Sequence, residues 1–202
     1  GINGGLGFRN ASTLTNSGWS LSFNWDGSST TLEEQAFEPV TNPNEMNNTW
    51  INVENILNAN KDYQILFKEA FNIDYIDSTH VVKAIAQFER SLVSSNSKFD
   101  KFYRGETSLS PSELNGYAIY NSERGDCFHC HGTLLFTDNI FHNNAIESGE
   151  PFIDNGLGIV TNNPSDNGKF KTPSLRNLIF TAPYMHDGRF QTIDEVLDHY
   201  ST

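Results

Sequence analysis

The sequence predicts a mainly α-helical chain with long irregular loops, organised as two pseudo-domains. Three observations carry this. Apolar residues recur at helical spacing in several windows, most clearly Val81, Val82, Ile85, Ala86, Phe88 and Leu92. Capping sequences stand ahead of helical windows, as in Ser110-Pro111-Ser112-Glu113 and Thr192-Ile193-Asp194-Glu195. Between the helical windows lie long stretches rich in Gly, Asn, Asp and Ser.

Residues 1–31 combine Gly, Asn, Ser and Thr with Trp19, Phe23 and Trp25, which favours ordered turns over disorder. A helix is expected from Leu32 through Phe37, ending at Pro39, and a second where Trp50, Val53, Ile56 and Leu57 share a face. Tyr63 to Phe71 reads as a third, and Ser78 to Leu92 as a fourth with Ser78 as its cap. Gly105 to Ser110 reads as a linker, which divides the chain into 1–104 and 105–202. A helix with a capping box and proline at its first position then runs to about Glu123 and delivers the chain into Cys127-Phe128-His129-Cys130-His131. The following stretch of roughly forty residues shows no convincing strand or helix, and a loop that long is usually functional. A last helix carries Val196, Leu197 and Tyr200, and no internal repeat is legible.

Composition narrows the function. Thirteen basic residues against 25 acidic ones give a formal charge of −12, which repels phosphate backbones and excludes nucleic acid as a partner. A hydrophobic fraction of 37% is low for 202 residues, so a large prosthetic group is expected to complete the core. No run approaches the ~20 apolar residues of a membrane span. The first residues lack the features of a signal peptide, so any export signal is expected upstream or already removed.

The two cysteines stand three positions apart and must serve something local. In C-x-x-C-H the thiols form thioether bonds to the vinyl groups of a haem and the adjacent imidazole falls under the iron. Cys127, Cys130 and His131 fit that motif completely. A zinc half-site completed by His142 and His186 and a thioredoxin-like dithiol are the rival readings; the second needs a βαβ context. For the other axial position the sequence offers Met185, His186, His199 and Tyr200, with His142 and His80 behind them, and spacing does not choose.

Three collinear segments resemble the bacterial di-haem cytochrome c peroxidase and MauG family. They are Arg9-Asn10 with Trp25-Asp26-Gly27, Leu32-Glu33-Glu34-Gln35-Ala36, Pro39 and Glu45-Met46; then Ala84 to Leu92 with Phe99-Asp100; then the haem motif with Phe170 to Asn177 and Thr181 to Gly188. The resemblance implies cytochrome c-like helical haem domains, with this chain holding the part after the first haem motif and a second haem expected in the missing N-terminal part. It implies hydrogen peroxide chemistry in the periplasm, with Glu45 and Gln35 as polar groups of the peroxide pocket and Pro39 lining it. Trp25 matches an indole between the haems, and Asn10 with the carbonyls of Thr181 and Pro183 matches a calcium site. Tyr200 takes the place of the sixth ligand, where peroxidases have methionine and MauG-like members tyrosine. The partner is then a small cytochrome c or cupredoxin, or a protein substrate; a homodimer is left open. The arginine usual after Trp-Asp-Gly is Ser28 here. A mono-haem electron-transfer module without catalysis is the alternative.

Overall fold

The computed structural model describes residues 1–147, 149 and 151–201, the side chain of Asn3 apart. Helices α1 (Leu32–Thr41), α2 (Trp50–Ala59), α3 (Lys61–Phe71) and α4 (Ser78–Ser91) form the first half. α1 packs along α4 through Leu32, Ala36 and Val40 against a stripe that includes Val82 and the fully buried Ala86, whose small side chain lets the two backbones approach. Arg90 on α4 grips Glu33 on α1 in a fork at 2.8 and 2.9 Å. Phe67, Ile76 and Val81 make a separate core under α2 and α3, closed by Trp50, Leu57 and Phe71.

The second half holds α5 (Lys98–Tyr103), α6 (Pro111–Tyr120), α7 (Phe128–His131), α8 (Leu157–Thr161) and α9 (Ile193–Tyr200). A two-stranded antiparallel ladder joins β1 (Phe141–His142) to β2 (Phe170–Lys171). The irregular stretch after the cysteines therefore contains a short helix and two short strands, each too brief to leave a periodic signature.

Other expectations shift at their edges. α1 passes through Pro39 to Thr41, because a proline in the last turn removes one hydrogen bond while Val40 still buries. The side chain of Asp77, and not Ser78, caps α4 by accepting from the His80 N–H at 3.0 Å. α6 ends at Tyr120, short of Glu123, where a tight turn leads to Gly125 packed under the Ile119 carbonyl.

The structure also contains a repeat that the sequence does not advertise. Asn16 and Asn177 both adopt the left-handed conformation and both open a one-turn 3₁₀ helix, Ser17–Trp19 and Leu178–Phe180. At the same offset Phe23 pairs with Ser29 as Tyr184 pairs with Phe190, Gly27 and Gly188 turn at positive φ, and Thr31 caps α1 as Thr192 caps α9. The two copies reach across to each other: Asn10 N–H donates to the His186 carbonyl at 2.6 Å, and Lys171 N–H to the Trp25 carbonyl at 2.8 Å. In this register Trp25 corresponds to His186, and Pro39 on α1 to Tyr200 on α9.

Candidate functional site

The cysteine motif sits on the single turn of α7, delivered by α6 and a turn through Asp126 at φ 52°. Cys127 and Cys130 are half-buried free thiols, and burial pushes both up. His131 Nδ1 lies 2.7 Å from the Phe136 carbonyl. A carbonyl only accepts, so the proton is on Nδ1 and the lone pair on Nε2 is available to a metal. Burial lowers the pKa of His131, which favours the neutral imidazole that ligation requires. Tyr120 OH donates to the His131 carbonyl at 2.7 Å, fixing the turn from the other side.

Phe136 is held in turn by Arg176. The guanidinium lies 5.5 Å over its ring, makes a fork with Asp100 of α5 at 2.7 and 3.0 Å, and donates to the Leu134 carbonyl. Phe99, Gly116, Tyr117, Tyr120 and Phe136 line an open, largely apolar recess of about 180 Å³. Thiols on one turn, an oriented neutral imidazole and an aromatic recess together fit a covalently held haem. The zinc alternative is not assembled as expected: His142 lies with Cys130 and Asp138, their donor atoms within 4.8 Å, while His186 is packed elsewhere. Nor does a two-residue ladder supply the βαβ context of a redox dithiol.

Among the candidate sixth ligands, Tyr200 and Met185 converge. Asn144 Nδ2 stands 3.2 Å from the Tyr200 hydroxyl and 3.5 Å from Met185 Sδ. Although the Tyr200 residue is 59% exposed overall, burial of its hydroxyl end pushes the phenol up, and the Cys127 and Cys130 thiols also act on it. His199 Nε2 instead donates to the Asn144 carbonyl at 2.9 Å, His80 pairs with Asp77, and His142 with Asp138.

His186 is 4% exposed and stacks on Phe170 with centroids 3.6 Å apart. Trp25 meets it edge-on and donates Nε1–H to the Asn10 carbonyl at 2.9 Å. Arg9 seals this region by bridging Asp26 and Asp154, both buried. Asn10 Nδ2 donates to the Pro183 carbonyl at 2.5 Å and to that of Met185 at 3.4 Å, which brings these two carbonyl oxygens together at the Asn10 side chain. The Thr181 hydroxyl is turned to the Leu178 carbonyl.

Gln35 and Pro39 stand four residues apart on α1 and share a face, with Glu45 in the turn that follows. The three are half-buried. Glu45 accepts from Asn42 Nδ2 at 2.8 Å and not from Gln35, because Asn42 at the helix end is nearer in the turn.

Residues 1–108 match the family model for di-haem cytochrome c peroxidase. The chain is 36% identical over 196 residues to methylamine utilization protein MauG of Methylophilus methylotrophus, covering 96% of this chain and 58% of that protein. The chain belongs to the di-haem cytochrome c peroxidase family. Cytochrome c551 peroxidase of Nitrosomonas europaea is 34% identical, with 94% of this chain and 57% of that protein covered. A crystal structure of a MauG-like protein associated with microbial copper homeostasis superposes with a TM-score of 0.89 at 33% identity, over 95% of this chain and 62% of that one. The chain thus spans somewhat over half the length of these family members. No helix among the described residues is long and apolar enough to cross a membrane.

Within this family frame, sequence reasoning missed Asn144, Lys171 and the two arginine clamps. Arg9 and Arg176 find their carboxylates far along the chain, so no local pattern announces them. Asn144 lies in an irregular stretch where its side chain is one amide among many.

Proposed function

We propose that this chain is the larger part of a periplasmic di-haem oxidoreductase acting on hydrogen peroxide, holding one haem c through Cys127, Cys130 and His131. A bound haem supplies one-electron redox chemistry at its iron. The observation that carries the reading is the His131–Phe136 hydrogen bond, which leaves Nε2 free on the turn that also bears the two thiols.

The chain's own residues then divide the work. His131 and Tyr200 would hold the haem iron, and a phenolate, as a hard anionic donor, would favour its oxidised state. Trp25 carries electrons between the two halves, next to His186 at 6.5 Å. Glu45 moves a proton from the inner to the outer oxygen of peroxide, while Gln35 and Pro39 shape the pocket around it. Asn10 and the carbonyls of Thr181 and Pro183 would hold calcium and so tie the halves together. A cytochrome c or cupredoxin supplies electrons in a peroxidase; with Tyr200 as ligand, the same arrangement suits retention of oxidising equivalents for use on a protein substrate.

The test is a pyridine haemochrome assay with intact mass and thiol alkylation on the full exported protein. Two haems, with no alkylation at Cys127 or Cys130, is the expected result. Free thiols at these positions would overturn the proposal, and a single haem in the whole protein would move it to a mono-haem electron carrier.

A further inference from the structure

Lys171 is an unusual residue to find half-buried beside the Trp25 segment. Its ammonium donates to the Ser22 carbonyl and stands 5.6 Å from the centroid of the Phe23 ring. Among the described residues no carboxylate pairs with it. Burial pulls its pKa down to about 8. A cation without an ion-pair partner is costly to bury, and here the compensation comes from a carbonyl oxygen and an aromatic face.

The repeat supplies the explanation. In the register that equates Trp25 with His186, Lys171 corresponds to Asn10 and Ser22 to Pro183. The contacts correspond as well. Asn10 gives its N–H to the His186 carbonyl and its side chain to the Pro183 carbonyl. Lys171 gives its N–H to the Trp25 carbonyl and its side chain to the Ser22 carbonyl. One constellation is built twice, with partners exchanged between the halves, and the two copies differ in the side chain that meets the carbonyl. A neutral amide brings no charge, whereas an ammonium brings a full one.

We propose that the Lys171 ammonium is a tethered structural cation, the counterpart in one copy of the repeat of the calcium held at Asn10 in the other. This rests on the calcium reading above. A carbonyl has two lone pairs and accepts from a metal ion or from N–H alike, so an ammonium on a flexible four-carbon stem can take the place of a divalent ion at the cost of one unit of charge. The protein then needs an external cation at one of two equivalent places.

The experiment exchanges the two side chains in the full haem-loaded protein and measures calcium per chain by plasma mass spectrometry, with melting followed in the presence and absence of EGTA. The parent should carry one calcium and melt lower in EGTA. Asn10→Lys should carry none and melt without regard to EGTA, at a temperature nearer the loaded parent than the stripped one. Lys171→Asn should rise from one calcium to two. A parent holding calcium whose Asn10→Lys variant melts like the EGTA-treated parent would overturn the equivalence alone, as would a Lys171→Asn variant that keeps one calcium and the parent's melting. A parent without calcium would overturn the calcium reading and the equivalence with it. Should Lys171→Asn fail to fold, Asn10→Lys decides.

Discussion

Trp25 and His186 meet edge to face, with ring centroids 6.5 Å apart and planes at 69°, and each occupies in its own copy of the repeat the position the other holds in its own. Their backbones are held by reciprocal hydrogen bonds from Lys171 and Asn10. The contact thus lies where the two copies cross, and a displacement of either segment is felt by both rings. That geometry makes Trp25 a fixed point between the halves, which is what the proposed relay role would need.

Tyr200 and Asn144 give the first prediction. Tyr200→Phe should change the visible spectrum of the haem and raise its midpoint potential, because an anionic donor to oxidised iron is lost. Asn144→Ala should lower the potential, since the amide N–H that shares the phenolate charge is gone; ~1 kcal/mol for one hydrogen bond is on the order of 40 mV for a one-electron couple. Spectroelectrochemistry of both variants reads this directly. An Asn144→Ala potential equal to the parent's would show that the 3.2 Å contact has no hold on the ligand.

Glu45→Gln should slow the reaction with peroxide by on the order of a hundredfold, the lower end of what a positioned base contributes. Because the carboxylate is already oriented by Asn42, Asn42→Ala should slow it too, by a smaller factor. Stopped-flow mixing of the intact two-haem protein with peroxide is the measurement, and a parental rate for Glu45→Gln would remove that residue from the chemistry.

Asp100 carries a pH prediction. The Arg176 guanidinium, with Ser97 assisting, holds its carboxyl well below the ordinary carboxylate range. In the unfolded chain the same group titrates near ~3.9. The stabilisation is therefore whole above about pH 5 and is lost as pH falls through ~4 toward the folded value. Asp100→Asn should cost roughly 3–5 kcal/mol near neutrality, since it leaves a buried guanidinium unpaired, and should flatten the dependence of melting temperature on pH between about 5 and 3. A variant whose acid profile overlays the parent's contradicts this.

Gly27 turns at φ 75°, and a Cβ there would lie 2.5 Å from Cζ of Phe141. Gly27→Ala should destabilise by about 1–3 kcal/mol, a fall of several degrees in melting temperature for a chain of this size. Calorimetry that finds no change would mean that the Trp25 turn and β1 are not packed as described.

The helices were legible because their signals are contiguous: the stripe of α4, the capping boxes of α6 and α9, the five residues of the haem motif. Cap identity was less so, since Asp77 and Ser78 are adjacent and both can cap; only the hydrogen bond to His80 decides. The repeat stayed hidden for a different reason. It retains what turns and caps demand, namely Asn16 and Asn177, Asp26-Gly27 and Asp187-Gly188, Thr31 with Glu34 and Thr192 with Glu195. Nearly everything that packs or reacts differs between the copies. Asn144 and Lys171 were out of reach because their partners are brought to them by chain crossings that no local pattern encodes.

Pro39 and Tyr200 stand at the same place on α1 and α9, and the difference between them sets up a division of labour. A pyrrolidine ring offers no lone pair to a metal, whereas a phenol offers an anionic oxygen. On the proposed reading, two copies of one frame would by default make two alike redox centres, both sealed or both reactive. A single non-coordinating side chain breaks that tie: it leaves a berth for substrate on one side while its twin closes the other.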